Sequence, residues 1–173
     1  MKTQQETLFS LHKTNSPEET GALAEQMAAL LKPQDVIFLK GDLGAGKSTF
    51  ARALIQSLCG KSTEVPSPTF TLVQMYETPN FPLWHFDLYR LENETDLCEL
   101  GFEEAYQAGV SLIEWPERLS LLPPTWIEIV FAPGEGGEGR TLQITKKEKN
   151  HKKLNQKSMR FFLSPEGKND ESH

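Results

Sequence analysis

The sequence predicts an α/β protein of three layers, in which a mixed β-sheet lies between layers of helices. Strand-like and helix-like segments alternate in the first third of the chain, and strand pairs joined by turns follow later. The 173 residues, of which 38% are apolar, are enough to bury one core of ordinary size. The sequence shows no internal repeat, so one domain is expected over residues 1–145, followed by a tail.

The chain begins with a predicted strand and a predicted helix. The strand is expected at Thr7–Leu11, and Ser16-Pro17-Glu18-Glu19 is a capping box with proline at the first helical position. Apolar residues then recur at helical spacing and define one side of the helix that faces the core: Leu23, Ala24, Met27, Leu30 and Leu31.

A buried strand, a glycine-rich turn and a second helix follow directly. An apolar run between polar ends predicts the strand at Asp35–Lys40. The turn covers Gly41–Gly46, and the helix is predicted at Lys47–Leu58, with Gly60 just past its end.

The remaining elements of the domain are mostly strands. Two of them, Thr69–Tyr76 and Leu83–Leu88, are joined by residues 77–80, which are typical of a turn. Short helical pieces are expected in residues 94–108, broken at Gly101. One buried strand and a hairpin then complete the sheet: Val110–Ile113, Trp126–Phe131 and Arg140–Thr145.

Residues 146–173 are expected to form a tail that is first basic and then polar. Residues 146–160 hold seven Lys or Arg and one Glu, whereas the other 158 residues carry a net charge of −12. The acidic body is therefore a poor nonspecific binder of nucleic acid. Apolar residues within 154–163 predict a short docking helix, and residues 165–173 are predicted to be disordered.

The sequence favours a cytoplasmic protein that is not held in a membrane. Its longest apolar run, Met27–Leu31, is far shorter than the about 18 residues that a membrane span needs. The N-terminal residues lack the apolar stretch of a secretory signal. Cys59 and Cys98 have no CxxC neighbour, so neither a zinc site nor a disulfide framework is expected.

Residues 41–48 match G-x-x-x-x-G-K-[ST], the pattern of a phosphate-binding loop, or P-loop, between a strand and a helix. Glycines let the backbone N–H groups face phosphates, and the helix N-terminus adds partial positive charge. Lys47 is expected to reach the β- and γ-phosphates, and the Ser48 hydroxyl to hold Mg²⁺. The predicted nucleotide-binding residues of this segment are Asp42, Leu43, Gly44, Ala45, Gly46, Lys47, Ser48 and Thr49.

A P-loop also needs an acidic residue at the end of a neighbouring strand. Glu114 and Asp87 both follow apolar strands, and for each the alternative is an acid that faces water at a strand end. The pattern favours Glu114 as the metal ligand and Asp87 as a switch or water-positioning residue. Together with Lys47 they are the predicted catalytic residues.

Three further features lie close to these residues in the chain. Ser67-Pro68-Thr69 stands where GTPases place a loop that senses the γ-phosphate, although turn chemistry favours a plain turn. Trp115 is expected to pack near the nucleotide, with a place in the core or on a partner-facing surface as equal alternatives. His85 is expected to be a strand histidine with satisfied hydrogen bonds. The sequence has no guanine-reading N-K-x-D stretch, so ATP is favoured over GTP.

The arginines before the tail are not clustered, and none is placed by the sequence as an arginine finger: Arg52, Arg90, Arg118 and Arg140. Arg90 is expected to form a structural ion pair. Because such a finger contributes about 10³–10⁵ to the rate in other enzymes, low intrinsic turnover is predicted.

Four motifs together resemble the TsaE family, also called YjeE, whose members are small bacterial ATPases required for threonylcarbamoyladenosine in tRNA. The motifs are residues 41–49, 67–73, 85–91 and 112–117, and the resemblance covers residues 7–145. It implies a P-loop NTPase fold with a mixed, largely antiparallel sheet. It also implies that residues matching Ser48 and Glu114 hold Mg²⁺, and that those matching Lys47 and Asp87 serve ATP hydrolysis. The segment Ser67-Pro68-Thr69 would then be a switch.

The same resemblance implies partners. The family acts with the proteins TsaD and TsaB, so tRNA is reached indirectly, through that complex. Two other functions remain as alternatives: a nucleotide-gated binding module with incidental hydrolysis, and a small-molecule kinase. The kinase hypothesis is weaker, because such kinases usually have a lid rich in arginine and the sequence shows no cluster of arginines. The basic residues 146–160 either touch tRNA or stay in solvent, as single-sign charge runs usually do.

Overall fold

The structure is a computed structural model that describes residues 7–149. Within these residues it has seven strands: β1 Thr7–Thr14, β2 Val36–Lys40, β3 Val73–Glu77, β4 Pro82–Asp87, β5 Val110–Glu114, β6 Thr125–Pro133 and β7 Arg140–Glu148. The same residues form four α-helices: α1 Pro17–Ala28, α2 Lys47–Cys59, α3 Asp96–Glu99 and α4 Phe102–Ala108. No described helix is both long enough and apolar enough to cross a membrane.

All seven strands belong to one sheet, in the order β1-β7-β6-β2-β5-β4-β3. The four central strands, β6, β2, β5 and β4, run parallel, while β3, β7 and β1 pair antiparallel. The predicted mixed sheet is confirmed, and antiparallel pairings make up half of it, on its two sides. The carboxyl ends of the parallel strands therefore meet at one edge, where the antiparallel β7 begins.

Two cores lie on the two faces of the sheet, which gives the predicted three layers. On β2, Ile37 and Leu39 join the core under α1 and α2, whereas Val36 and Phe38 join the core under α3 and α4. This alternation follows from the two-residue period of a strand. Because β2 is covered on both sides, it reads in the sequence as one continuous apolar run.

The start of α1 is confirmed and its end differs from the prediction. The Ser16 hydroxyl accepts a hydrogen bond from the Glu19 amide at 3.2 Å, and the Glu19 carboxylate accepts one from the Asn15 amide at 2.7 Å. The helix ends at Ala28, so Leu30 lies beyond it and is 81% exposed. The placement of Leu30 on the buried face was therefore wrong.

The strand predicted at Thr69–Tyr76 begins only at Val73. Residues 69–72 are a turn in which Leu72 has a φ of 65°, a left-handed conformation that a strand cannot contain. Strand β7 runs to Glu148, three residues beyond its predicted end, so the first basic residues of 146–160 are sheet residues. The predicted docking helix in 154–163 and the segment 165–173 lie outside the described residues.

Candidate functional site

The loop between β2 and α2 is shaped by glycines at positions where a side chain would not fit. Gly41 has a φ of 151°, and a Cβ built on it would lie 2.9 Å from the carbonyl oxygen of Phe131 in β6. Gly46 has a φ of 107° and directly precedes the first residue of α2. The loop therefore lies close against the sheet edge and turns sharply into the helix, as the sequence pattern predicted.

Lys47, the first residue of α2, is buried, with 5% of its surface exposed. Its ammonium group donates to the carbonyl oxygen of Gly41 and lies 3.8 Å from the centre of the Trp115 ring. Burial lowers the pKa of Lys47 below its ordinary 10.5, although the charges of Glu114 and Glu117 favour the protonated form. The cation is thus held inside the loop by a carbonyl and a ring, which are weaker partners than phosphate oxygens.

Asp87 and Glu114 stand side by side at the ends of β4 and β5, where they are partners in the parallel register. They are 5% and 4% exposed, so neither is an acid that faces water. Asp87 accepts hydrogen bonds from the Tyr89 amide at 3.0 Å and from the Thr69 hydroxyl at 3.4 Å. Two buried carboxylates next to a buried ammonium group are an arrangement typical of functional sites.

His85 contacts Glu114, which the sequence did not suggest. Its Nε2 atom lies 3.3 Å from Oε1 of Glu114, and both side chains are buried. Its Nδ1 atom is buried and has no hydrogen-bond partner among the described residues. The expected fully satisfied strand histidine was therefore wrong for one of the two ring nitrogens. The contact depends on the register of β4 against β5, which residue spacing does not reveal.

The segment Ser67-Pro68-Thr69 is a turn, and it also reaches the site. The Ser67 and Thr69 hydroxyls are 2.6 Å apart, and Thr69 in turn bonds to Asp87. The amide of Leu72 donates to the Pro68 carbonyl at 2.7 Å, which closes the turn. The predicted plain turn is therefore confirmed, and the role of these residues as a switch stays a prediction.

Trp115 follows β5 in a left-handed conformation, with a φ of 58° and a ψ of 50°. Its half-buried ring contacts the ammonium group of Lys47 on the P-loop and lies 4.9 Å from the ring of Tyr89. It also packs against the core under α3 and α4. Of the alternatives expected for this residue, packing against the core is confirmed, and a position near a bound nucleotide stays a prediction.

Two arginines, Arg90 and Arg140, make contacts that the sequence did not predict. The guanidinium group of Arg90 lies 4.4 Å from the centre of the exposed Phe70 ring. Among residues 7–149 it forms no ion pair, so the structural ion pair predicted for Arg90 was wrong within that part of the chain. Arg140, at the start of β7, donates to the carbonyl oxygens of Ala45 and Gly44 in the P-loop, at 3.0 and 3.2 Å. Sequence reasoning missed this contact because about 95 residues separate the two partners.

The remaining P-loop residues leave the loop open to solvent, with Asp42, Leu43, Gly44 and Ser48 exposed. A Cβ built on Gly44 would meet no atom within 4 Å, so there is room above the loop. The described residues contain no cluster of three or more His, Cys, Asp or Glu that could hold a metal. A hydroxyl and one or two carboxylates are instead the donor set with which Mg²⁺ binds beside phosphates. The residues present therefore fit a magnesium nucleotide.

Comparisons with known proteins agree on one family. The sequence model of "Threonylcarbamoyl adenosine biosynthesis protein TsaE" matches residues 14–152. A relative from Rickettsia conorii, named tRNA threonylcarbamoyladenosine biosynthesis protein TsaE, is 44% identical over 149 residues, which cover 86% of this chain and 83% of that protein. The protein of the same name from Bacillus subtilis is 41% identical over 135 residues, which cover 77% and 83% of the two chains.

A solved structure matches the fold as well. The crystal structure of Bacillus subtilis YdiB superposes with a TM-score of 0.66 at 34% sequence identity. The match covers 80% of this chain and 85% of that one. The sheet and its helices are thus those of a P-loop fold that has been observed in a crystal.

Proposed function

This chain belongs to the TsaE family of tRNA threonylcarbamoyladenosine biosynthesis proteins, and we propose that within this pathway it works as a magnesium-dependent ATPase. The observation that supports the proposal most is the buried Lys47. It is held inside the P-loop at the edge of the sheet where β4 ends with Asp87 and β5 ends with Glu114. Such a group of one cation and two acids fits phosphoryl transfer to water, in which positioning and charge stabilisation supply most of the catalysis.

The roles of the residues follow from their chemistry. The P-loop amides and the N-terminus of α2 would bind the phosphates, and the Lys47 ammonium would exchange the Gly41 carbonyl for phosphate oxygens. The Ser48 hydroxyl and the Glu114 carboxylate would hold Mg²⁺, which neutralises charge on the phosphate oxygens. Asp87, already bonded to Thr69, would orient the attacking water or report on the γ-phosphate.

The proposed action on partners goes through the turn Ser67-Pro68-Thr69. A nucleotide whose phosphate competes with Asp87 for the Thr69 hydroxyl would change the 3.4 Å contact between these two residues and shift the equilibrium of the turn. The turn would in this way make binding to the TsaB–TsaD complex, and indirectly to tRNA, depend on ATP. The place of action would be the cytoplasm, where tRNA is modified.

Nucleotide binding is tested first, by titrating ATP with Mg²⁺ against the wild-type protein and a Lys47→Ala variant. The wild-type protein should bind, and the variant should lose the hydrogen bonds that a cation donates to phosphate, with about a tenfold or greater rise in Kd. Lys61→Ala is the matched control because Lys61 is exposed just beyond the other end of α2. Normal ATP binding by the Lys47 variant would contradict the assignment of the site.

Hydrolysis is tested by measuring phosphate release with and without TsaB, TsaD and tRNA. The proposal expects slow turnover by the chain alone and faster turnover with the partners. A nonhydrolysable ATP analogue separates this function from a nucleotide-gated binding module: repeated rounds of tRNA modification with the analogue would favour the module. Transfer of phosphate to an added small molecule in place of water would favour a kinase.

A further inference from the structure

The beginning of β7 places a cation, the guanidinium group of Arg140, against the backbone of the P-loop. Arg140 uses Nε to donate to the Ala45 carbonyl at 3.0 Å and Nη2 to donate to the Gly44 carbonyl at 3.2 Å. Its Nη1 donates to the Gly139 carbonyl at 2.7 Å, which fixes the guanidinium plane. Three of its five N–H groups therefore donate to backbone oxygens, and two of these oxygens belong to the P-loop.

The loop carbonyls held by Arg140 determine where the loop amides point. A peptide unit is planar and trans, so its N–H points away from its C=O. Because Arg140 holds the Ala45 carbonyl, the amide of Gly46 in the same peptide unit is directed away from Arg140. Gly46 has a φ of 107°, and glycine has little intrinsic preference for one backbone conformation. A partner outside the loop is therefore needed to hold the orientation of the peptide between Ala45 and Gly46.

We propose that Arg140 is a positioning residue for nucleotide binding, which holds the P-loop in its phosphate-binding shape before the nucleotide arrives. Its positive charge beside the loop also favours the negative charge of the phosphates through space. The residue acts through the loop backbone and not on the reacting atoms. The inference rests on the proposed nucleotide-binding function and adds a residue from the far end of the chain to that site.

The role of a positioning residue differs measurably from that of an arginine finger. A residue that preorganises the loop changes the affinity for ATP and for ADP by similar factors and leaves kcat nearly unchanged. An arginine finger stabilises charge that develops during the reaction, so its loss lowers kcat. Affinity and kcat measured separately on the same variant therefore distinguish the two roles.

The test uses the full-length protein and the variants Arg140→Met and Arg140→Lys. Methionine keeps an apolar stem at the position of the arginine Cγ, which lies 3.9 Å from a Cβ built on Gly46, and it removes every donor. We expect the Kd for ADP and for ATP to rise about tenfold or more in Arg140→Met, because hydrogen bonds from a charged donor are lost. Arg140→Lys keeps the charge and one donor position, so its Kd should rise about threefold.

Lys147→Met is the matched control. Lys147 lies on the same strand and pairs with a buried carboxylate, since its ammonium group is 2.7 Å from a Glu128 oxygen. Seven residues of extended strand put it about 23 Å from Arg140, beyond the range of unscreened charge at ordinary ionic strength. Its loss removes the same charge from β7 and should leave the Kd for nucleotide within about twofold.

The outcomes are distinct. A wild-type protein that binds no nucleotide would remove the proposed function itself. A wild-type protein that binds, together with an Arg140→Met variant of equal affinity, would overturn only this inference. A fall in kcat at unchanged affinity would also overturn it, in favour of direct action on the reaction. If Arg140→Met does not fold, Arg140→Lys decides alone, and an unchanged Kd for that variant refutes the positioning role.

Discussion

The left-handed backbone of Trp115 allows the strain at the site to be measured by two substitutions at one position. Trp115→Ala and Trp115→Gly remove the same indole ring, with its contacts to Lys47 and Tyr89. They differ only in the Cβ atom, which is unfavourable at a φ of 58° and a ψ of 50°. The difference in stability between the two variants therefore isolates the backbone cost.

The expected magnitude comes from two opposing effects. A non-glycine residue in the left-handed region costs about 1–2 kcal/mol. Glycine loses more chain entropy on folding than alanine does, which costs about 0.5–1 kcal/mol. Trp115→Gly should therefore be more stable than Trp115→Ala by about 0.5–1 kcal/mol, or about 2 °C in Tm for a domain of this size.

The assay is urea unfolding of both variants without nucleotide, supported by thermal denaturation. Ala22→Gly is the control, because Ala22 is exposed in α1 and has a right-handed helical backbone. There glycine should be less stable than alanine by about 1 kcal/mol, the opposite sign. If Trp115→Ala equals or exceeds Trp115→Gly in stability, the left-handed conformation is not strained and the reasoning fails.

Three further substitutions test burial and charge. Burial opposes ionisation of Glu128, but hydrogen bonds from Lys147 and Lys40 lower its pKa below the ordinary 4.5. The ionised Glu128 therefore stabilises the folded protein above that pH, and this stabilisation is lost as the pH falls. Glu128→Gln should therefore flatten the acid side of the unfolding free energy against pH, and an unchanged slope would contradict this. Leu54→Ala should cost about 2–5 kcal/mol in urea unfolding, since Leu54 is fully buried under the sheet, and a loss below 1 kcal/mol would be inconsistent with that packing. Phe70→Ala should change the free energy of unfolding by no more than about 0.5 kcal/mol, because Phe70 is 80% exposed; a large loss would show that its contact with Arg90 holds the turn.

The order of strands and helices was largely predictable because each element carries its own local signal. The apolar run of β2 and the capping box before α1 act within a few residues, and both were found where the pattern placed them. The errors occurred where a local signal was absent or was overridden. The strand predicted from Thr69 is a turn up to Leu72, because Thr69 bonds to Asp87 and the Asp87 amide bonds to the Leu72 carbonyl.

The conformation of the loop before α2 was determined by the sequence itself, since glycines, a lysine and a helix start at fixed spacing act through neighbouring backbone atoms. The surroundings of that loop were decided only by the tertiary structure. The contacts of Glu114 with His85 and of Arg140 with Ala45 join residues that are 29 and 95 positions apart. Such contacts depend on strand register and on which strand ends share an edge of the sheet. The spacing of residues along the sequence does not show the strand register or which strand ends lie together, so these contacts could not be predicted from it.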